Sequence, residues 1–509
     1  MKDSAAPASP LALLISPASL PAGCLAGALT VLGFAPFHAA PLPILCLALL
    51  FWQWSRASTP KRALYYGWAF GLGFFLAGVS WIYVSLHTFG AMPLPLAALA
   101  TLLFCVFLAL FPAAAGYAVA RSRRAPVVQL VLLAPACWVL AEWVRSWIFT
   151  GFPWNSAGYS QIPGSPLAGF APVAGIYSVS LALAVVAGCA ALLVMRWREL
   201  KSLARTALVT AIGVAAGGFA LLQIQWTAPT GAPVTVSLIQ GNVAQDMKWR
   251  QDRLRATLDT YARLTLASNA QLTVLPETAL PLFLHQIPPD YLDLLAAHVK
   301  QNRGDLLFGV VDREPGGGYY NTAVSVGTSP VQHYRKSHLV PFGEFIPLRP
   351  LLAWIVNILA IPMQDFSRGA VDQPPLAIAG QRVAVNICYE DVFGEEIIRQ
   401  LPQTTLLVNI SNVAWFGRSI APEQHLQISQ ARALETGRYM LRATNTGMTA
   451  VINPRGEVEQ AAAQFQTTVL THAVQGYQGV TPYVRWGNYP VLIMLVLMLA
   501  AAWRAPARA

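Results

Sequence analysis

Charged residues are scarce in this sequence. Only 11% of its 509 residues are Asp, Glu, Lys or Arg, whereas 55% are hydrophobic. Soluble domains carry about 25% charged residues, so this composition excludes an ordinary soluble protein. It predicts a membrane protein, and the length leaves room for a separate soluble domain.

Long hydrophobic runs are absent from residues 229–480. They are frequent in the first half of the chain. A helix needs about 20 mostly apolar residues to cross a membrane. Seven spans are predicted before residue 228, at 10–35, 42–55, 63–87, 93–120, 127–148, 167–195 and 205–225. An eighth runs from Asn488 to Trp503. We therefore expect a membrane domain at 1–228, a soluble domain at 229–480, and a final span with a short tail at 481–509.

Basic residues are missing from alternate connections between these spans. The connections 36–41, 88–92 and 149–166 contain no Lys or Arg, whereas the intervening ones hold clusters of them. Cytoplasmic loops of membrane proteins carry the positive excess. Both termini are therefore predicted to be cytoplasmic, and the domain at 229–480 is predicted to lie outside the cytoplasm.

The formal net charge of +11 does not indicate a nucleic-acid partner. Residues 229–480 contain 19 Lys or Arg and 20 Asp or Glu, a net charge of −1. The basic excess therefore belongs to membrane topology, and the soluble domain lacks the basic surface that phosphate backbones require.

Cysteine is rare in the soluble region, where only Cys388 occurs. The other five fall in predicted spans: Cys24, Cys46, Cys105, Cys137 and Cys189. Outside the cytoplasm an unpaired thiol is exposed to oxidation. Cys388 is either a buried core thiol or a nucleophile at the end of the strand-like run in "RVAVNICYEDVFGEE" (382–396), and its context favours the nucleophile.

Residues 229–480 alternate strand-like and helix-like segments, which is typical of a layered α/β domain. Predicted strands are 234–242, 272–277, 305–312, 322–327, 382–390, 405–411 and 448–456. Predicted helices are 250–268, 289–301 and 423–438. Residues 226–233 and 473–487 are expected to be linkers into and out of this domain.

Two further segments place reactive groups after apolar runs. "LTVLPETALP" puts Glu277 at a strand end, and "VQHYRKSHLVPFGEFIP" offers Lys336 and Glu344. Ligand sites gather at the carboxyl ends of strands in α/β folds. Glu277 could act as a general base, Lys336 could stabilise an oxyanion, and Cys388 could carry an acyl group. Taken singly, a strand-end Glu is usually solvated and a loop Lys usually lies at the surface.

The ordered motifs "LPE", "YRKSHLVPFGE" and "NICYED" resemble the nitrilase superfamily, which has an αββα-sandwich fold and a Glu-Lys-Cys triad. Longer stretches resemble its membrane-embedded branch, the apolipoprotein N-acyltransferase family of bacterial inner membranes. They include "GFAPF" (33–37), "GVSWIYVSLHTFG" (78–90), "GFPWNSAGYSQ" (151–161) and "QGNVAQDMKW" (240–249). The resemblance covers essentially the whole chain.

This resemblance assigns a role to each matching position. The implied triad is Glu277, Lys336 and Cys388. Supporting roles around the lysine and the oxyanion fall to Glu344, Tyr389 and Glu390. Aromatic positions on mobile loops or near the acyl chains are Trp249, Trp415, Phe416, Phe89, Phe152 and Trp154. In contrast, Asp391, Glu395 and Glu396 are expected only to begin the helix after the site.

The resemblance also implies a reaction. Cys388 takes an acyl chain from a phospholipid, typically phosphatidylethanolamine, and passes it to the N-terminal α-amine of a diacylglyceryl-cysteine apolipoprotein. No metal or cofactor is expected, and the histidines lack metal-ligand spacing. The expected protein is a monomer of the bacterial inner membrane, multi-pass, with its catalytic domain in the periplasm and no nucleic-acid partner.

Two alternatives remain at this point. One is a membrane-anchored amidase or hydrolase of the same fold that uses water as acceptor, although a single span would suffice as its anchor. The other is a transporter or lipoprotein-binding scaffold. The near absence of ionisable residues within the spans argues against transport, and the complete triad argues against an inactive scaffold.

Overall fold

A computed structural model describes residues 19–196, 201–314, 316–347 and 365–506. Each predicted span coincides with a helix, although residues 10–18 of the first lie outside the described residues. The helices of this part are α1 Leu20–Thr30, α2 Pro41–Arg56, α3 Pro60–Val79, α4 Leu94–Arg121, α5 Ala134–Arg145, α6 Ala171–Arg196 and α7 Lys201–Leu222.

Among the described residues, four helical segments are long and apolar enough to cross a membrane: Leu94–Arg121, Pro126–Arg145, Pro166–Met195 and Ser202–Leu222. A fifth is obtained if α3 and Ile82–Phe89, which are bent by 54°, form one span. Helices α1 and α2 are shorter, at 11 and 16 residues. The expected total of seven spans before the soluble domain therefore stays a prediction.

Glycines allow the membrane helices to approach closely. A Cβ added at Gly27 of α1 would lie 1.9 Å from the Phe70 carbonyl oxygen of α3. One added at Gly67 of α3 would lie 2.2 Å from the Pro112 carbonyl oxygen of α4. Small residues at such crossings are the usual means of packing helices in lipid. The bundle therefore forms a rigid base for the connections above it.

The soluble domain contains two six-stranded sheets. Their strands are β1 Thr227–Gln240, β2 Leu272–Val274, β3 Asp305–Arg313, β4 Tyr319–Gly327, β5 Gln332–Arg335, β6 Leu376–Ile378, β7 Gln381–Ile387, β8 Leu406–Ser411, β9 Met440–Thr444, β10 Ala450–Ile452, β11 Val458–Ala461 and β12 Thr468–Gly479. The first sheet has the order β12-β1-β2-β3-β4-β5 and the second β11-β10-β9-β8-β7-β6.

Apolar side chains of both sheets meet in one buried core, to which β1 contributes Val236 and β8 contributes Val408. Helices α8 Gln251–Leu266 and α9 Pro289–Gln301 cover the outer face of the first sheet, and α10 Ala421–Thr436 covers the second. This is the predicted αββα sandwich. The three predicted helices are confirmed to within two residues at each end.

Both predicted linkers are wrong. Strand β1 begins at Thr227 and pairs with β12 up to Gly479, so residues 227–233 and 473–479 belong to a sheet. The remainder forms a short helix, α11 Pro482–Trp486, ahead of α12 Tyr489–Arg504. The missed parts of these strands, 227–233 and 473–479, contain few large apolar residues and are mostly half-buried or exposed. They therefore lack the apolar alternation by which strands are recognised.

Helix α10 lies between the second sheet and the membrane helices. The Gln424 side-chain oxygen accepts hydrogen bonds from the indole nitrogens of Trp81 (3.1 Å) and Trp154 (2.8 Å). One turn further on, Gln427 accepts from the Ala35 amide and donates to the Ile162 carbonyl, both at 3.0 Å. Three separate membrane-side segments therefore hold one helix of the soluble domain.

Candidate active site

Cys388 stands directly after β7, at the start of a tight 3-10 turn. Its φ of +55° lies in the left-handed region that residues with a Cβ rarely adopt. Its carbonyl oxygen accepts a hydrogen bond from the Asn409 side chain on neighbouring β8, at 3.1 Å. Strained turns that present a nucleophile at a strand end recur at active sites. The backbone therefore turns Cys388 out of the sheet.

Glu277 follows β2, close to the neighbouring strand β3. A Cβ on Gly309 of β3 would lie 2.7 Å from the Glu277 Cα, so this approach requires glycine. The carboxylate accepts hydrogen bonds from the Asn321 side chain (2.7 Å) and the Asn412 backbone amide (2.8 Å). These contacts come from both sheets and fix the orientation of the carboxylate.

Lys336 follows β5 and lies between two carboxylates. Its Nζ is 2.9 Å from Glu344 Oε1 and 3.6 Å from Glu277 Oε1, and its side chain is 1% exposed. Asn321 also bonds Glu344, at 2.9 Å, and thereby closes a ring of polar groups. The structure thus brings Glu277, Lys336 and Glu344 into direct contact.

Burial and charge set the ionisation of the three predicted triad members. Burial pushes the pKa of Glu277 upward, but Lys336 and the Asn321 hydrogen bond outweigh it and hold that pKa below its usual value. Burial lowers the pKa of Lys336, but Glu344 and Glu277 raise it further than burial lowers it. Burial and the Glu277 charge raise the pKa of the Cys388 thiol. At neutral pH the site therefore holds a carboxylate, an ammonium and a neutral thiol, so Cys388 needs a base to react.

Glu390 ties the turn after Cys388 to the segment after Lys336. Its Oε1 accepts the backbone amides of Ser337 (2.7 Å) and His338 (3.0 Å), and its Oε2 accepts from Ile387 N (2.7 Å) and the Tyr334 hydroxyl (3.0 Å). This buried carboxylate therefore fixes the two reactive segments relative to each other.

The predicted aromatic positions fall into two groups. Rings from the membrane side meet rings from the soluble domain, with Phe89 6.2 Å from Trp415 and Trp81 4.6 Å from Phe416 between centroids. Trp249 is 52% exposed. Their substrate contacts stay predictions.

The second group of predicted positions is more enclosed. Trp154 is 2% exposed, and its indole nitrogen is bonded to Gln424, so its contact with a substrate stays a prediction. Phe152 packs on Trp154 and on Phe104. Tyr389 is buried and donates its hydroxyl to the Gly151 carbonyl, at 3.2 Å. Tyr389 therefore connects the nucleophile turn to the membrane-side loop.

Sequence reasoning missed a second buried lysine at this site. Lys248 is 4% exposed, and its Nζ donates to the Glu277 carbonyl oxygen at 3.1 Å. Burial lowers the pKa of Lys248 to about 8, against opposing attraction from Glu277 and Cys388. Lys248 lies in the "QGNVAQDMKW" stretch, in which the sequence predicts a role only for the neighbouring Trp249.

We expect Lys248→Met to remove the cost of this buried charge, up to about 3 kcal/mol at about 1.4 kcal/mol per pKa unit, while it also loses the hydrogen bond to the Glu277 carbonyl. The pKa of Lys248 is lower in the folded protein than in the unfolded chain. The buried charge therefore reduces stability by its full amount below pH 8, and this destabilisation disappears as the pH rises towards 10.5. The difference in melting temperature between wild type and variant should therefore shrink over this window. A pH-independent difference would contradict the assignment.

Asp391 does not simply begin a helix, as the sequence suggested. It is fully buried and contacts His425 Nε2 (2.6 Å), the Ser429 hydroxyl (2.5 Å) and Arg442 Nη1 (3.1 Å). Burial raises its pKa, but His425 and Arg442 outweigh this and hold that pKa below its usual value. The partners lie on α10 and β9, so Asp391 joins the nucleophile turn to both.

An Asp391→Asn variant is expected to lose about 3–5 kcal/mol of stability, because it leaves the Arg442 charge buried without its anion. The pKa of Asp391 is lower in the folded protein than in the unfolded chain. The stability that Asp391 contributes to the wild type should therefore be lost as the pH falls below the pKa of this group in the unfolded chain. Thermal melts in detergent measure both effects. Asp252→Asn, at an exposed pair with Arg250, is the matched control and should leave the melting temperature unchanged.

Comparisons with known proteins show which family this chain belongs to. The family model described as apolipoprotein N-acyltransferase N-terminal domain matches residues 26–189, and the one described as carbon-nitrogen hydrolase matches residues 235–483. The apolipoprotein N-acyltransferase of Nitrosomonas europaea is 56% identical over 93% of this chain and 95% of its own length. That of Chromobacterium violaceum is 46% identical over 97% of this chain and 96% of its own.

Proposed function

Since this chain belongs to the apolipoprotein N-acyltransferase family and is therefore an acyltransferase, we propose that it moves an acyl chain from a phospholipid to a diacylated apolipoprotein, in two steps through Cys388. The observation that carries the proposal is the contact between buried Glu277 and Lys336, whose charges both act on Cys388 in its strained turn. A carboxylate and an ammonium in this arrangement supply a base and an oxyanion partner for a neutral thiol.

In the first step Glu277 takes the thiol proton as Cys388 Sγ attacks the ester carbonyl of the lipid. A carbon–sulfur bond forms, and Lys336 stabilises the negative oxygen of the tetrahedral intermediate. The carbon–oxygen bond then breaks, and Glu277 returns the proton to the departing alkoxide. The products are a thioester on Cys388 and a lysophospholipid.

In the second step the α-amine of the diacylglyceryl-cysteine attacks the thioester. Glu277 accepts a proton from the amine, the new amide bond forms, and the carbon–sulfur bond breaks. The proton then returns to Sγ, so the enzyme is regenerated with no net gain or loss. The amine replaces water in this step, so the site must exclude water while the thioester exists.

The membrane setting supports a lipid donor, for which we propose phosphatidylethanolamine. Extracting a lipid costs about 0.8 kcal/mol for each methylene exposed to water, so the reaction must occur at the bilayer surface. Contacts of α10 with Trp81 and Trp154 hold the soluble domain against the apolar helices. The proposal places this domain on the periplasmic side of the inner membrane, both termini in the cytoplasm, and the enzyme as a monomer.

Mass spectrometry of the purified protein after exposure to phosphatidylethanolamine tests this function. We expect one added fatty-acyl mass on Cys388 that hydroxylamine removes. Adding a diacylated peptide should discharge the adduct and yield the triacylated peptide. Active protein without an adduct would refute the covalent mechanism, and release of free fatty acid alone would favour the hydrolase.

A further inference from the structure

A cavity of about 420 Å³ lies between the membrane-side segments and the soluble domain. Trp147 and Tyr177 line it from the membrane side, and His338, Glu396 and Arg432 line it from the soluble domain. Glu277, Lys336 and Cys388 are not among its lining residues. None of these three proposed catalytic groups therefore lines the cavity, although Ser337 and His338 directly follow Lys336.

Buried polar atoms without hydrogen-bond partners gather around this cavity. Five such atoms, unpartnered among the residues that the structure describes, belong to its lining: Thr150 Oγ1, His338 Nε2, Glu396 Oε2, Arg432 Nε and Asn488 Oδ1. Two of these residues, Arg432 and Asn488, are 1% and 2% exposed. Buried polar groups are normally satisfied, so this wall is built for a polar occupant. The occupant must both donate hydrogen bonds to these atoms and accept hydrogen bonds from them.

The wall also carries both signs of charge. Arg368 and Arg399 contribute cations, and Glu395 and Glu396 contribute anions. At about 30 Å³ per water molecule, the volume could hold about 14 waters or one small organic group. Guanidinium groups are suited to phosphate, and carboxylates are suited to ammonium. A molecule with both groups matches this surface better than an anion or a cation alone.

Aromatic residues place the cavity at the level of lipid headgroups. Trp147 in its wall is 53% exposed, and Trp486 and Tyr489, which flank lining residue Asn488 in the chain, are 54% and 73% exposed. Exposed Trp and Tyr at the ends of apolar helices are characteristic of the membrane–water interface. Tyr489 begins the apolar helix α12. A lipid in the bilayer can therefore present its headgroup to this wall.

We propose that this cavity binds the headgroup of a zwitterionic phospholipid, with its phosphate at Arg368 and Arg399 and its ammonium at Glu395 and Glu396. This lipid is not the one that reacts at Cys388. It contacts the loop after α5, helix α6, the segment before α12 and the soluble domain together. Its presence therefore stabilises the junction between the two halves of the chain.

Native mass spectrometry of the full-length, delipidated Cys388→Ala protein tests the site without turnover. Phosphatidylethanolamine and phosphatidylglycerol are titrated in separate arms, and glycerophosphoethanolamine and inorganic phosphate are added as competitors. Arg399→Gln and Glu395→Gln are made in the same background. Arg485→Gln is the matched control, since Arg485 is exposed on α11 beside the site but does not line it. Melting temperatures verify that each variant is folded.

We expect two bound phosphatidylethanolamine molecules, one at the proposed donor site and a second at the cavity, and the second should bind about tenfold more readily than phosphatidylglycerol does. Each cavity variant should weaken it about tenfold, the effect of losing one charge-assisted hydrogen bond. Arg485→Gln should not change it, and Glu395→Gln should narrow the preference between the two lipids. Unchanged binding in both cavity variants would overturn the proposal. Equal affinity for glycerophosphoethanolamine would overturn the lipid as the source, and any result at this site is independent of acylation at Cys388.

Discussion

Cys388→Ala is expected to reduce acyl transfer by about 10⁴-fold or more, as for removal of the nucleophile from other covalent enzymes. Alanine retains a Cβ, so it experiences the same left-handed φ of +55° and should not alter the backbone of the turn. The loss therefore reflects chemistry, because no thioester can form. Transfer from phosphatidylethanolamine to a diacylated peptide, followed by mass spectrometry, measures it.

Cys137→Ala is the matched control for this variant. Cys137 is also partly exposed, but it lies on α5 in the membrane domain and touches none of the triad. We expect its transfer rate to equal that of the wild type. An active Cys388→Ala protein would rule out Cys388 as the nucleophile, and an inactive Cys137→Ala protein with a normal melting temperature would mean that the loss of transfer is not specific to Cys388.

Glu277→Gln is expected to reduce the rate of Cys388 acylation by about 10³-fold, within the range for loss of a general base. Glutamine preserves the shape of the side chain, and its single oxygen can still accept from either Asn321 or Asn412, though not from both. It cannot take the thiol proton, and the raised pKa of Cys388 leaves little thiolate without a base. Single-turnover acylation, stopped with acid and read by mass spectrometry, isolates this step.

Glu344→Gln provides the comparison for Glu277→Gln. Both carboxylates contact Lys336, but only Glu277 carries the role of proton acceptor in the proposal. We expect Glu344→Gln to reduce the rate of Cys388 acylation about tenfold, which is the effect of one weakened charge-assisted contact. The two variants should therefore differ by about 100-fold. Equal losses would mean that both glutamates act only by orienting Lys336.

The sequence was most informative where a short apolar strand ended in a reactive side chain. Glu277 follows β2 of the first sheet and Cys388 follows β7 of the second, so these two strand ends meet because the sheets pack face to face. Lys248, Asn321 and Asn412 escaped prediction because they lie in loops or at strand starts whose conformation depends on distant contacts. Neither hydrophobic period nor local propensity reports such contacts.

The role of Asp391 also could not be predicted from the neighbouring sequence, because its partners are distant in the chain. A carboxylate at the start of a helical turn favours a solvated cap when only local sequence is considered. His425 and Arg442, its partners, lie 34 and 51 residues away in the chain. Only the packing of α10 against the second sheet brings these partners to Asp391. A prediction from the neighbouring sequence alone therefore places the Asp391 side chain at the surface.

The single side-chain oxygen of Gln424 that receives both Trp81 and Trp154 has a consequence for substrate selection. Because two membrane-side segments donate hydrogen bonds to one helix of the soluble domain, Cys388 is held at a fixed position relative to those segments. If the donor is the proposed phospholipid, the soluble domain does not tilt to accommodate a longer or shorter acyl chain. The chain length that the protein accepts would then depend on the space among the membrane helices next to the thiol.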